Sequence, residues 1–313
     1  MKQQIEISII IPFLNEKEGI NILLSKIEEY YPNRKFEFEI VFVDDGSVDG
    51  TREVIKNSVS FPYSCKLVCL SKNFGSHAAV RAGFFNSNGK YFTCLPADLQ
   101  ISFEAVEKLY NTINVGNDIV FAIREINDIG FLEKTFSRFY AFMMRKYVSG
   151  NFPVNGLETF MISDKVRRIL NENVESNSSL FLQILIMGFK NKFVNIEKTN
   201  RSFGKSKWTL SKKIKLLIDS FAAFSFAPIR LVSIVGICLF IIGLGWSSFI
   251  ISRKIIYDDL VSGWAATSSI LLLGFGITNI SLGIIAEYLW RTLDASRKRP
   301  VFIIDEIIEL NKD

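Results

Sequence analysis

The chain has 313 residues, 49% of them hydrophobic and 22% charged, with a net charge of +5. That composition excludes a disordered chain, seven Pro and 19 Gly exclude a collagen-like or linker-dominated one, and the small positive charge does not by itself point to nucleic acid. Four cysteines (Cys65, Cys69, Cys94, Cys238) form no CxxC pair and stand beside a single histidine, His77, which argues against a zinc site or a secreted disulfide scaffold and leaves reduced thiols.

Taken in chain order, MKQQIEISIIIPF has no basic segment followed by a cleavage site, so no signal peptide is expected. Short apolar runs then alternate with helical patterns. Residues 5–11, 38–43, 66–70, 91–95 and 118–123 are predicted as strands, and 18–30, 50–58, 78–86, 103–114 and 131–147 as helices. Strands rich in Ile, Val and Phe, separated by helices, predict an α/β domain with a mostly parallel sheet. Ligands of such sheets bind beyond the carboxyl ends of the strands.

The predicted strand ends are polar. The first ends in Pro12-Phe13-Leu14-Asn15-Glu16 and the second in Asp44-Asp45-Gly46-Ser47-Val48-Asp49-Gly50-Thr51. The third is followed by Ser71-Lys72-Asn73-Phe74-Gly75-Ser76, the fourth by Pro96-Ala97-Asp98-Leu99-Gln100, and the fifth ends in Arg124. Any one of these could be turn or cap chemistry; five at one edge read as a site. GxGxxG, GxxxxGK[ST] and GxSxG are absent, and one histidine leaves little room for a Ser-His-Asp triad. Acids, amides and arginines remain, a set that suits a sugar nucleotide. Carboxylates accept base or ribose hydrogen bonds, while a divalent ion and arginines neutralise the diphosphate.

Residues 190–215 hold nine Lys or Arg against one acid, Glu197, which suits an anionic leaflet as well as the ordinary positive-inside signal. Leu210, Ile214, Leu217, Ile218, Phe221 and Phe224 fall at helical spacing with Lys212, Lys213, Lys215 and Asp219 opposite. They predict an amphipathic helix on the membrane surface or an ordinary helix packed on the core. Residues 231–251 and 260–286 carry no charge, and each is long enough to span a bilayer core of ~20 residues. The flanking Lys and Arg put both termini on the cytoplasmic side. The expected organisation is a cytosolic domain over 1–209, an interfacial helix over 210–228, a transmembrane hairpin over 229–290 (spans near 231–251 and 264–286) and a cytosolic tail over 291–313.

ISIIIPFLNE, VFVDDGSVDGT, SKNFGSHAAVRAGF, ADLQ and RSFGKSKWTLSKKIKLLIDSFAAFSFAPIRL together resemble glycosyltransferase family 2, nearest its polyprenyl-phosphate branch. The resemblance implies a GT-A fold, a UDP- or GDP-linked sugar donor, a polyprenyl (undecaprenyl) phosphate acceptor and placement in a bacterial plasma membrane. It implies that Pro12, Asn15, Glu16, Asp44, Asp45, Gly46 and Ser47, with Asn73 and Gly75, hold the nucleotide sugar. Asp98 and Gln100 would hold Mg²⁺ or Mn²⁺, and Arg124 would face the donor diphosphate. Arg201, Ser206 and Lys207 would grip the acceptor phosphate. Family analogy also suggests a homo-oligomer, which no residue here fixes; no nucleic-acid partner is expected.

Two departures stand out. The family's DADLQ reads Pro96-Ala97-Asp98-Leu99-Gln100, so the first metal carboxylate is missing, and Gly156-Leu157-Glu158-Thr159-Phe160 stands where many members carry a glycine-aspartate-phenylalanine-like stretch. Glu158 keeps that charge on a longer side chain and joins Asp98 and Arg124 as a catalytic candidate at a weakened or rearranged metal site. The expected activity is inverting sugar transfer onto a lipid phosphate. The alternatives are a degenerate membrane scaffold or regulatory subunit, for which Pro96 is the support, and transfer to a different acceptor. A processive polysaccharide synthase is disfavoured, because there is no QxxRW and two spans are too few for a polymer channel.

Overall fold

A computed structural model describes residues 4–58, 61–124, 131–173, 179–197, 263–297 and 300–310, with scattered positions between 232 and 256. The chain forms two compact units, Met1–Leu217 with Pro300–Asp313, and Ile218–Arg299.

The first unit is built on one eight-stranded sheet. In chain order its elements are β1(Ile7–Phe13), α1(Lys17–Tyr30), β2(Phe38–Asp44), α2(Thr51–Asn57), β3(Ser64–Leu70), α3(Ser76–Phe85), β4(Tyr91–Cys94), α4(Phe103–Ile113), β5(Ile119–Arg124), α5(Phe131–Tyr147), β6(Thr159–Ser163), α6(Asp164–Glu172), α7(Leu180–Ile186), β7(Asn191–Ile196) and β8(Ile304–Glu309). The spatial order is β7-β5-β6-β4-β1-β2-β3-β8. Pairing is parallel for β1 with β2 and β4, β2 with β3, and β5 with β7. β6 runs antiparallel to β4 and β5, and β8 antiparallel to β3.

The central strands are largely apolar on both faces, with Ser8 and Glu39 as a buried hydrogen-bonded exception on β1 and β2, and both faces are covered. Ile7, Ile9, Ile11, Ile40 and Phe42 pack with Ile20, Leu23 and Ile27 of α1 and Val106 and Leu109 of α4 in one buried cluster. On the other face Phe84 of α3 meets Phe92 of β4 and Phe160 of β6, and Phe160 meets Phe181 of α7. A Cβ on Gly83 of α3 would lie 2.4 Å from Ile10 Cγ2, so glycine is what lets α3 sit this close to β1.

All five expected strands and all five expected helices between residues 5 and 147 are present, shifted at their ends by up to two residues. The elements α6, α7, β6, β7 and β8 were not expected. The segment 291–313, expected as a tail, instead supplies the end of a helix and a strand of the sheet. Beside β8, Ser71 N–H donates to Ile303 O (3.0 Å), and Leu310 N–H donates to Cys65 O (2.9 Å).

In the second unit α8(Trp264–Arg297) is a 34-residue helix without a charged residue before Glu287. Ile270, Leu271, Phe275 and Ile280 are exposed along it. Judged on the described residues, no helix is long and apolar enough to cross a membrane. The expected span 231–251 is described only at scattered positions, all helical, and the expected interfacial helix 210–228 lies outside the described residues.

Candidate active site

Asn15 (φ 53°) and Leu99 (φ 59°) are the two non-glycine residues with positive φ among the described residues. This backbone region costs a non-glycine residue roughly 1–2 kcal/mol and persists only where the surroundings impose it. Both residues lie just past a strand's carboxyl end, Asn15 after β1 and Leu99 after β4, and those two strands are paired neighbours.

What holds Asn15 is the loop after β2. Asn15 N–H donates to Ser47 Oγ (2.9 Å), and its side-chain Oδ1 accepts from Val48 N–H (2.9 Å). The next two amides continue the clasp: Glu16 N–H donates to Thr51 Oγ1 (3.1 Å) and Lys17 N–H to Asp49 Oδ2 (3.0 Å). Asp49 Oδ1 accepts from the Thr51 hydroxyl and N–H in turn, which holds its carboxyl below the usual range despite the opposing effect of burial. Two strand-end loops are thereby knitted into one surface that exposes Asn15, with Glu16 and Ser47 half-buried.

Asp44 and Asp45 lie behind that surface. Asp44 is fully buried. Its Oδ1 accepts from Ser47 N–H (2.8 Å), and its Oδ2 pairs with Arg52 Nε of α2 (2.9 Å). Asp45 accepts from Phe74 N–H (2.7 Å) and Gly75 N–H (2.9 Å), which ties the loop after β2 to the start of α3. Burial raises the Asp45 pKa, against the lowering effect of those two amides. Gly46 is obligatory here: its φ is +79°, and a Cβ would lie 2.6 Å from the Lys72 carbonyl carbon. Of the residues expected to hold a nucleotide, Asp44 and Gly46 shape the wall, whereas Asn15 and Asn73 are exposed on it and Pro12, Glu16, Ser47 and Gly75 are half-buried in it.

At the other side of the edge, β4 runs into Pro96-Ala97-Asp98. Gln100 N–H donates to Asp98 Oδ1 (3.3 Å) across the strained Leu99. Because β6 is antiparallel, it begins where β4 ends: the Thr159 hydroxyl donates to Cys94 O (2.5 Å). Glu158 N–H donates to Ala122 O of β5 (3.0 Å), and Asn155 Nδ2 donates to Arg124 O (3.0 Å). Glu158, Arg124 and the Asp98 turn thus reach one edge from three adjacent strands, all half-buried. Arg201, Ser206 and Lys207 lie outside the described residues.

Among the described residues no group of three or more His, Cys, Asp or Glu side chains could hold a metal ion. With Pro96 in place of an acid, the turn offers one carboxylate, Asp98, and one carboxamide, Gln100. This donor set fits a hard divalent ion that completes its shell from substrate phosphates and water, as Mg²⁺ commonly does; it does not fit an ion held by protein alone.

His77 is not poised for acid–base work. Burial, with Arg81 nearby, pushes its pKa down to about 4, and its ring meets Phe181 edge-on. Arg81 itself is buried and donates to Leu170 O (2.6 Å) and to the Gln183 side chain. The Cys94 thiol is pushed up to about 11 by burial. Arg52 carries only a faint signal in the sequence: it follows the DDGSVDGT run directly, and its partners Asp44 and Asp305 come to it only once the strands are paired.

The family model described as "Glycosyl transferase family 2" matches residues 8–170, slightly more than half of the chain. A Photorhabdus laumondii protein named undecaprenyl-phosphate 4-deoxy-4-formamido-L-arabinose transferase is 28% identical over 316 residues, covering 98% of this chain and 95% of that protein. A Bacillus subtilis (strain 168) protein named "Uncharacterized glycosyltransferase YkcC" is 27% identical over 308 residues, with the same two coverages. Among solved structures, glucosyl-3-phosphoglycerate synthase from Mycobacterium tuberculosis, in complex with Mn²⁺, UDP and glucosyl-3-phosphoglycerate, superposes with a TM-score of 0.50 at 16% identity. That match covers 69% of this chain and 77% of that one.

Proposed function

This chain belongs to glycosyl transferase family 2 and has an α/β GT-A fold with a mostly parallel sheet, and on that footing we propose that this glycosyltransferase moves a sugar from a UDP- or GDP-linked donor to a polyprenyl phosphate. The observation that carries the reading is the convergence, at one sheet edge, of Asn15, Ser47, Asn73, Asp98, Arg124 and Glu158 around two loops held in left-handed backbone. The full-length relative from Photorhabdus laumondii supports the acceptor class.

The chemistry asks little of a general base. A phosphate monoester has its second pKa at ~6, so its oxygen is already anionic at neutral pH and leaves no proton for a general base to remove. Direct attack on the anomeric carbon inverts its configuration. The phosphate oxygen forms the new C–O bond as the bond to the donor diphosphate breaks, and the nucleoside diphosphate leaves as an anion. Asn15, Glu16, Ser47 and Asn73 orient the nucleotide; Arg124 offsets charge on the departing diphosphate. Glu158 contributes a fixed negative charge at the edge where positive charge develops on the sugar. When bound, a divalent ion supplies charge neutralisation at the diphosphate, and Asp98 with Gln100 would hold it. Arg201, Ser206 and Lys207 are proposed to draw in the lipid phosphate by charge and position.

The membrane reading is part of the same proposal. The charge-free runs 231–251 and 260–286 and the basic residues on either side support a hairpin anchored in a bacterial plasma membrane, with both termini cytoplasmic. The test is a donor screen: membranes carrying the protein are given polyprenyl phosphate and a panel of nucleotide sugars, and extracted lipids are read by mass spectrometry. One donor is expected to yield one lipid-linked sugar. The second reading, a scaffold that keeps the fold without turnover, rests on Pro96; nucleotide binding with no lipid-linked product from any donor favours it.

A further inference from the structure

The ion pairs of β8 lead to the donor loop. Asp305 of β8 lies 3.6 Å from Arg52 Nη1, and Nε of the same guanidinium pairs with fully buried Asp44 at 2.9 Å. Asp44 accepts from Ser47 N–H at 2.8 Å, and Ser47 Oγ accepts from Asn15 N–H at 2.9 Å. A second pair on the same strand, Lys56 with Glu306 at 2.9 Å, ends on α2 and touches neither aspartate. Ser71 at the end of β3 donates to Ile303, so β8 is also anchored by backbone at this edge.

We propose that Arg52 and Asp305 are positioning residues for the nucleotide donor: the C-terminal strand, through Asp305, aims the Arg52 guanidinium at Asp44 and so sets the turn that presents Ser47 and Asn15. This rests on the donor reading above. The physical reason is the planar fork of arginine, which serves two carboxylates from one fixed plane. Arg52 is partly buried, its side chain 22% exposed, and Asp44 is wholly desolvated, so the angle at which Arg52 approaches Asp44 is transmitted to the Ser47 amide. Asp305 is 58% exposed, which leaves it free to be changed without emptying the core.

The test uses the full chain and two readouts. UDP and GDP binding in the presence of Mn²⁺ is measured by calorimetry, and amide hydrogen exchange is followed over residues 13–17 and 44–49 without nucleotide. Asp305→Ala is expected to speed exchange in both segments and to weaken the nucleotide that binds by about two- to five-fold, the range of a partly exposed ion pair. Asp305→Glu is expected to restore most of that loss, and Lys56→Ala to leave nucleotide affinity unchanged although it also loosens β8. Unchanged exchange in Asp305→Ala, unchanged affinity, or an equal loss in Lys56→Ala overturns the proposal alone. A wild-type protein that binds neither UDP nor GDP overturns the donor reading and the proposal with it.

Discussion

Replacing Asp98 by Asn keeps size and hydrogen-bonding reach but deletes the carboxylate that the Pro96-Ala97-Asp98 turn supplies. With Pro96 in the first position, no second acid of that turn can take over. Transfer is expected to fall by at least ~100-fold, the usual size of a lost charge-stabilising group, with the circular dichroism spectrum and melting temperature unchanged. Retained turnover in EDTA would instead mean a metal-independent reaction. Gly46→Ala acts on the wall behind the nucleotide: a left-handed φ of +79° and a backbone carbon 2.6 Å from the new Cβ cannot both be relieved. A loss of roughly 2 kcal/mol or more in stability is expected, together with weakened donor binding, read by thermal melting and nucleotide titration. His77 gives the pH prediction. Its folded pKa of about 4 lies below the ordinary 6.5, so between those values the unfolded chain takes up the proton first and stability falls as pH falls. At pH 5 the cost is about 2 kcal/mol. Comparing melting at pH 7 and pH 5, the acid-induced drop should be smaller in His77→Gln than in the wild type; an equal drop would mean the ring is solvated.

The helix α3 shows how closely elements must fit for the edge to form. It packs on β1 and β2, with Gly83 facing Ile10 so closely that an added Cβ would lie 2.4 Å from Ile10 Cγ2, and the two residues that lead into it, Phe74 and Gly75, carry the amides that Asp45 holds. Gly83→Ala is therefore expected to lower stability by about 1–3 kcal/mol through overpacking and to raise the donor KM as well, because lifting the helix pulls those amides from Asp45. Melting and initial-rate kinetics together check this, and a melting change without a KM change would separate the helix from the site. Much of this architecture was legible in the sequence. Runs such as ISIIIPF and FEIVFVD are buried on both faces and read as strands, and the polar residues that follow them gave the edge. What was not legible depended on non-local pairing. TFMIS is short and NKFVNI is half polar, so neither separates from a loop by pattern. The pairing of Asp44 with Arg52, and of Arg52 with Asp305 of β8, was not legible because nothing in the linear order brings these residues together.

The order of the chain around its two units sets the last expectation. The first unit is discontinuous: it takes residues up to Leu217 and then Pro300–Asp313, with the other unit lying between them in sequence. Charge patterning alone draws a boundary near 209 and treats 291–313 as a tail, yet β8 covers the edge of β3 along five paired positions. An uncovered β3 would present unpaired backbone groups on a strand that is buried and apolar apart from Ser64 and Lys66, the condition that favours edge-to-edge association. Removing residues 300–313 by a stop after Arg299 leaves α8 in place while deleting β8 and with it Asp305, Glu306 and Glu309, the carboxylates that Arg52, Lys56 and Lys66 meet on that strand. Melting is expected to fall on the order of 5–10 °C, as a few kcal/mol would produce in a chain of this size. Size-exclusion profiles should shift toward aggregates, and a peptide of residues 300–313 added in trans should recover part of both. Unchanged melting and an unchanged profile would mean that β8 is an ornament of the sheet.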